Sequence, residues 1–97
     1  MRTVLRIVCQ MTHTRQRDIY ARVRTPDIAL ARQTAMTLSM KIAKARQLDV
    51  ARFFRRDPGT VSHAVKVVQN VLDTEPDYAD LFAQLETLIR NEIKQPA

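Results

Sequence analysis

The sequence predicts an all-α domain of about six helices, and three features carry that prediction. Gly59 is the only glycine and there are four prolines, too few turn formers for a β-sandwich or barrel. A doubly wound α/β fold is disfavoured for the same reason, because its phosphate-binding turn needs several glycines. Leu, Ala, Arg, Gln and Met are common and all favour helix. Apolar side chains recur at helical spacing along most of the 97 residues, a length that suits one domain and not two. Residues 1–97 are therefore read as a single domain.

Taken in order, RTVLRIVCQM places Val4, Leu5, Val8 and Met11 on one helical face. A short second helical piece follows around Arg17 to Tyr20, with Ile19 and Tyr20 as its anchors. RVRTPD then breaks the periodicity. Pro26 disfavours helix at Thr25 and suits the first turn of a new helix, with Thr25 as the N-cap. From Asp27 to about Lys44 runs a long helix with Ile28, Ala31, Ala35, Leu38 and Ile42 on one stripe and Met36 and Met40 as core filler. RQLDVARFFRR makes a helix of about two turns that buries Leu48, Val50, Ala51 and Phe54. Asp57 and Pro58 signal the next start, as N-cap and first helical residue. That helix buries Val61, Ala64, Val65, Val68 and Leu72 and ends near Asp73. Thr74 and Pro76 repeat the start signal for a last helix carrying Tyr78, Leu81, Phe82, Leu85, Leu88 and Ile89, which frays at IKQPA.

The net charge of +6 is unevenly spread. Residues 1–56 hold thirteen Lys or Arg against three acids, a balance of +10, and residues 57–97 hold three against seven, a balance of −4. Such a split suggests a positive face for a polyanion and an acidic remainder turned elsewhere. The plain alternative is a solvated basic surface. Cys9 is the single cysteine, so no internal disulfide is expected. No apolar run approaches 18 residues, and Arg6 interrupts the N-terminal one, so neither a membrane span nor a signal peptide is expected. The chain reads as cytoplasmic.

A helix of about two turns, a break of three or four residues and a longer helix form a helix-turn-helix, whose second helix offers its first turns to the major groove. Arg55 and Arg56 stand just before that second helix, and Gly59 lies in its first turn. A merely structural helix pair is the plain reading of the same pattern. At ARQTAM (31–36) and RRDPGTVSHAVKVV (55–68), however, the chain resembles the C-terminal DNA-binding domain of the bacterial replication initiator DnaA. The matching residues are Arg32, Gln33, Ala35 and Met36, then Arg56, Asp57, Thr60, Val61, His63 and Ala64. The resemblance extends from about Arg2 to Ile89. It implies a Trp-repressor-like helical bundle and double-stranded DNA binding through two elements. One is the recognition helix from Asp57, in the major groove. The other is the basic loop before the long helix, whose arginine, Arg24 by position, reaches the neighbouring minor groove. The resemblance puts Arg32 and Gln33 against the DNA backbone and Thr60 at base edges. The expected interface is Arg24, Arg32, Gln33, Arg55, Arg56, Asp57, Thr60, His63 and Lys66. It departs from the family at Pro58-Gly59, where two base-reading side chains are absent, and at Phe54-Arg55, where the family has paired glycines.

No nucleotide site or ATPase is expected, since one glycine cannot build a P-loop. Cys9 and His13 are four apart, but two ligands do not make a structural zinc site. No nucleophile-base-acid set stands out, so no enzyme and no cofactor are expected. The acids Glu75, Asp77, Asp80, Glu86 and Glu92 lie on or near the last helix. They read as a solvated face or, more sharply, as a surface for a protein partner. An interaction adapter that keeps the fold but has lost DNA binding is the alternative function, and Pro58-Gly59 is the feature that supports it.

Overall fold

The computed structural model describes residues 1–22 and 25–94. Among these residues it contains six α-helices and no strand: α1 (Arg2–Thr12), α2 (Gln16–Tyr20), α3 (Pro26–Lys41), α4 (Gln47–Phe54), α5 (Pro58–Thr74) and α6 (Pro76–Lys94). Pro26, Pro58 and Pro76 each open a helix. Proline's fixed φ suits the first helical position, where its missing N–H has no partner to lose.

α3 lies at the centre. It packs against α5 most extensively and also touches α1, α2 and α4, while α6 closes the bundle over α1 and α5. The core is made by Val4, Leu5 and Val8 of α1, Ile19 of α2, Ala35, Met36 and Leu38 of α3, Val50 and Phe54 of α4, Val61 and Val68 of α5, and Leu85 and Ile89 of α6. Alanines at 31, 35, 51 and 64 lie at the helix contacts and let backbones approach closely. Because α3 is enclosed by its neighbours, its polar positions are buried too. Thr34 and Ser39 satisfy their hydroxyls on the carbonyls of Leu30 and Ala35, at 2.7 and 2.8 Å. Thr34 also shares a hydrogen bond with the Tyr78 hydroxyl.

Several local expectations change. α3 stops at Lys41, and the turn beyond it passes through Lys44 in the left-handed region. Leu48 and Leu88, expected inside, are 49% and 43% exposed. Their helical stripes are right, but no neighbouring element covers the flank on which they stand. Thr74 does not cap α6. It is the last residue of α5, and its hydroxyl donates to the Asn70 carbonyl. Asp57 and Thr25 occupy N-cap positions without a side-chain capping bond, and the Asp57 carbonyl accepts from Thr60 and Val61 instead. The expected fraying at IKQPA falls partly on residues 95–97, outside the described residues. Glu86 and Glu92 of α6 serve the bundle, pairing with Lys41 at 2.8 Å and Arg6 at 2.7 Å.

Candidate nucleic-acid interface

Three residues, Arg55 to Asp57, separate α4 from α5. α4 ends with Arg55 in the left-handed conformation (φ 59°, ψ 47°), and the Arg56 N–H reaches back to the Ala51 carbonyl at 2.8 Å. That pairing is a Schellman-type ending, which turns the chain sharply. Gln47 ties the two helices from the other side. Its amide donates to the Pro58 carbonyl at 2.5 Å and to the Ser62 hydroxyl at 2.6 Å. Val50, Ala51 and Phe54 bury one face of α4, and Val61, Ala64 and Val68 bury one face of α5. The opposite side of α5 leaves Gly59, Thr60, His63 and Lys66 exposed.

Beside the start of α5 lies a notch of about 590 Å³, lined by Arg22, Arg32, Ala51, Arg52, Arg55, Arg56, Asp57 and Thr60. Five of these eight residues are arginines, against one acid. Arg55 is exposed, and its guanidinium lies over the Tyr20 ring, 5.1 Å from the centroid. Tyr20 in turn packs at 6.0 Å on Phe53, whose ring meets Phe54 edge-on at 5.0 Å. A surface cation is thus seated on an aromatic stack that reaches the core.

Arg32 forms the notch floor and is 8% exposed. Its Nε donates to the Ile19 carbonyl at 2.6 Å, and its Nη2 donates to those of Asp18 and Ala21, each at 3.0 Å. Arg56 donates through Nη2 to Ala21 at 2.6 Å and through Nη1 to Tyr20, Phe54 and Arg55, each at 3.2 Å. Burial, and then the charge of Arg56, lower the affinity of Arg32 for its proton. Burial, and then Arg22, do the same to Arg56. The notch therefore concentrates positive charge at the cost of mutual repulsion, and an anion placed there would relieve it.

Of the residues anticipated from sequence, the notch gathers Arg32, Arg55, Arg56, Asp57 and Thr60. His63 and Lys66 continue along the exposed side of α5. Gln33 is half-buried on α3 and does not line the notch, and Arg24 lies outside the described residues. Arg22 belongs to the basic loop expected before the long helix, whereas Arg52, Gln47 and Tyr20 were not anticipated at the site. Arg52 had a signal in its spacing, since 52, 55 and 56 stand at i, i+3 and i+4 in the sequence, although α4 ends at Phe54. Cys9 is buried and its thiol is pushed up by desolvation. Among the described residues no three His, Cys, Asp or Glu side chains come together, and no helix is long and apolar enough to cross a membrane.

A short helix, a three-residue turn and a longer helix with a bare, cation-flanked first turn define a helix-turn-helix module. The chain belongs to the family of the bacterial DnaA protein helix-turn-helix, whose model matches residues 1–68. Among curated relatives, the chromosomal replication initiator protein DnaA of Desulfotalea psychrophila is 41% identical over 78 residues, 80% of this chain and 15% of the relative. That of Laribacter hongkongensis is 32% identical over 75 residues, 76% of this chain and 16% of the relative. That of Ehrlichia ruminantium is 31% identical over 84 residues, 86% of this chain and 18% of the relative. The chain thus spans less than one fifth of the length of these relatives.

Proposed function

We propose that the chain binds double-stranded DNA, with the first turns of α5 in the major groove and the basic loop around Arg24 in the neighbouring minor groove. We further propose that it does so in replication initiation or its regulation. The observation that carries this reading is the notch. Two elements that enter adjacent grooves are separated by one sugar–phosphate strand. The gap between the end of α2 and the start of α5 is where that strand would pass, and Arg22, Arg52 and Arg55 stand along it. Phosphate contacts there set register, with Gln33 and Lys66 as further backbone contacts. Thr60 and His63 on the exposed side of α5 are the candidates for base edges. The relatives' role as chromosomal replication initiators supports the process.

Pro58-Gly59 favours a second reading. It leaves the first turn of α5 without long side chains, as expected of a protein-interaction adapter that has kept the fold. Its surface would then be α6, where Leu88 stands exposed beside Ala83 and Thr87.

Selection of binding sites from a random duplex pool at moderate salt separates the two. An enriched motif supports sequence-directed DNA binding and shows what Pro58-Gly59 has done to the target. Retention without enrichment means a protein that reads backbone only. No retention at low salt rejects the DNA reading and favours the adapter.

A further inference from the structure

We propose that Arg32 and Arg56 are positioning residues that clasp the C-terminal end of α2, and so hold Arg22, just beyond it, against the helix-turn-helix. This rests on the DNA-binding reading above. α2 has five residues, too few to be stable alone. Its last carbonyls have no partners within the helix and form its negative end. Arg32, from α3, takes those of Asp18, Ile19 and Ala21. Arg56, from the α4–α5 turn, takes those of Tyr20 and Ala21 while also holding Phe54 and Arg55. Both guanidinium groups therefore meet on the Ala21 carbonyl, one residue before Arg22 and the notch. The clasp links three separate elements: the central helix, the turn that starts the recognition helix, and the base of the loop.

The geometry argues against Arg32 as a phosphate contact. Its Nε and Nη2 are both engaged on carbonyls 11 to 14 residues away in sequence. Turning outward would leave those carbonyls without this partner beneath the surface. The planar fork also matters more than the charge. A lysine ammonium is a point donor on a flexible stem and cannot span the same carbonyls. Burial loosens the hold of each group on its proton, and a neighbouring charge adds to it, that of Arg56 for Arg32 and that of Arg22 for Arg56. That repulsion is offset by the carbonyl cradle, which is a reason for the cradle to be shaped as it is.

The test uses the full chain with Arg32→Lys, Arg22→Ala and the double variant. Without DNA, well below the unfolding temperature, Arg32→Lys is expected to raise the rate of tryptic cleavage after Arg22 several-fold while far-UV helicity is kept. Lys66→Ala, on the exposed side of α5 and away from α2, should leave that rate unchanged. With duplex DNA, Arg32→Lys should lower affinity about five- to tenfold in the wild-type background and less than about twofold in the Arg22→Ala background. Effects that add would mean that Arg32 meets phosphate itself and would overturn the proposal, as would full affinity in Arg32→Lys. If the wild-type chain binds no duplex, the DNA reading falls, yet the cleavage comparison still decides whether the clasp exists. If Arg32→Lys does not fold, Arg56→Lys, at a half-buried site, runs the same cycle with the same expectations.

Discussion

Among the described residues, left-handed backbone occurs at His13, Lys44 and Arg55, while the single glycine, Gly59, sits at a position where φ is not positive. A Cβ built on Gly59 meets nothing within 4 Å. The fold therefore asks for glycine at three places that lack it and has it where it is not required. Arg55 in the left-handed region costs on the order of 1 kcal/mol relative to a residue without a Cβ. Arg55→Gly should thus leave stability within roughly 0.5 kcal/mol of wild type, once the added freedom of the unfolded chain is counted. It should still weaken DNA binding and reduce the salt slope by about one contact. Parallel urea titrations and salt-dependent binding curves check both halves. Gly59→Ala should raise stability by about 0.5–1 kcal/mol, because a helical glycine is replaced without steric cost. A fall in affinity alongside that gain would show that Gly59 is kept for close approach of α5 to DNA. Unchanged affinity would remove the glycine from the interface.

At the level of elements, α4 and α5 are set at their angle by a few buried side chains and by Gln47. Phe54 is fully buried where the two meet, at the foot of the aromatic stack. Phe54→Ala is expected to cost about 3–5 kcal/mol in denaturant unfolding, and to loosen the Arg55 seat with it. α6 is tied to α3 by Tyr78 and Thr34. Burial raises the Tyr78 phenol above its ordinary range, while the Thr34 hydrogen bond works in the opposite direction. The folded state then holds this proton at a pH where the unfolded chain, with tyrosine near ~10, has released it. Stability from this group is full below about pH 10 and is lost as pH rises through and beyond it. Tyr78→Phe should flatten that part of the alkaline limb, at about 1 kcal/mol lower stability near neutrality. Cys9, also raised by burial, should contribute its own alkaline loss in both proteins and so cancel from the comparison. Thermal melts from pH 7 to 11 read the difference. The helices themselves were legible because their signals are local. Pro26, Pro58 and Pro76 start helices wherever they stand, and three- and four-residue spacing needs no partner to be seen. Thr74 misled because a threonine before a proline carries the same local mark whether it ends one helix or starts the next.

For the molecule as a whole, charge and binding are one question. With about five phosphate contacts, log affinity for duplex DNA should fall against log salt with a slope on the order of −4 to −5. Binding isotherms between 50 and 300 mM salt measure it, and a slope near zero would detach the notch from DNA. The amino-acid order by itself determined the helical class, nearly every helix start and the basic first half, because these follow from residue chemistry over a few neighbours. Tertiary structure alone decided which stripes are covered, leaving Leu48 and Leu88 outside. It also decided what the arginines do. Arg32 and Arg55 look alike in sequence, yet one is buried among the carbonyls of α2 and the other lies on a tyrosine at the surface. The physical reason is distance along the chain. The partners that fix those guanidinium groups lie 11 to 35 residues away, and only the packing of α2, α3 and α4 brings them within reach.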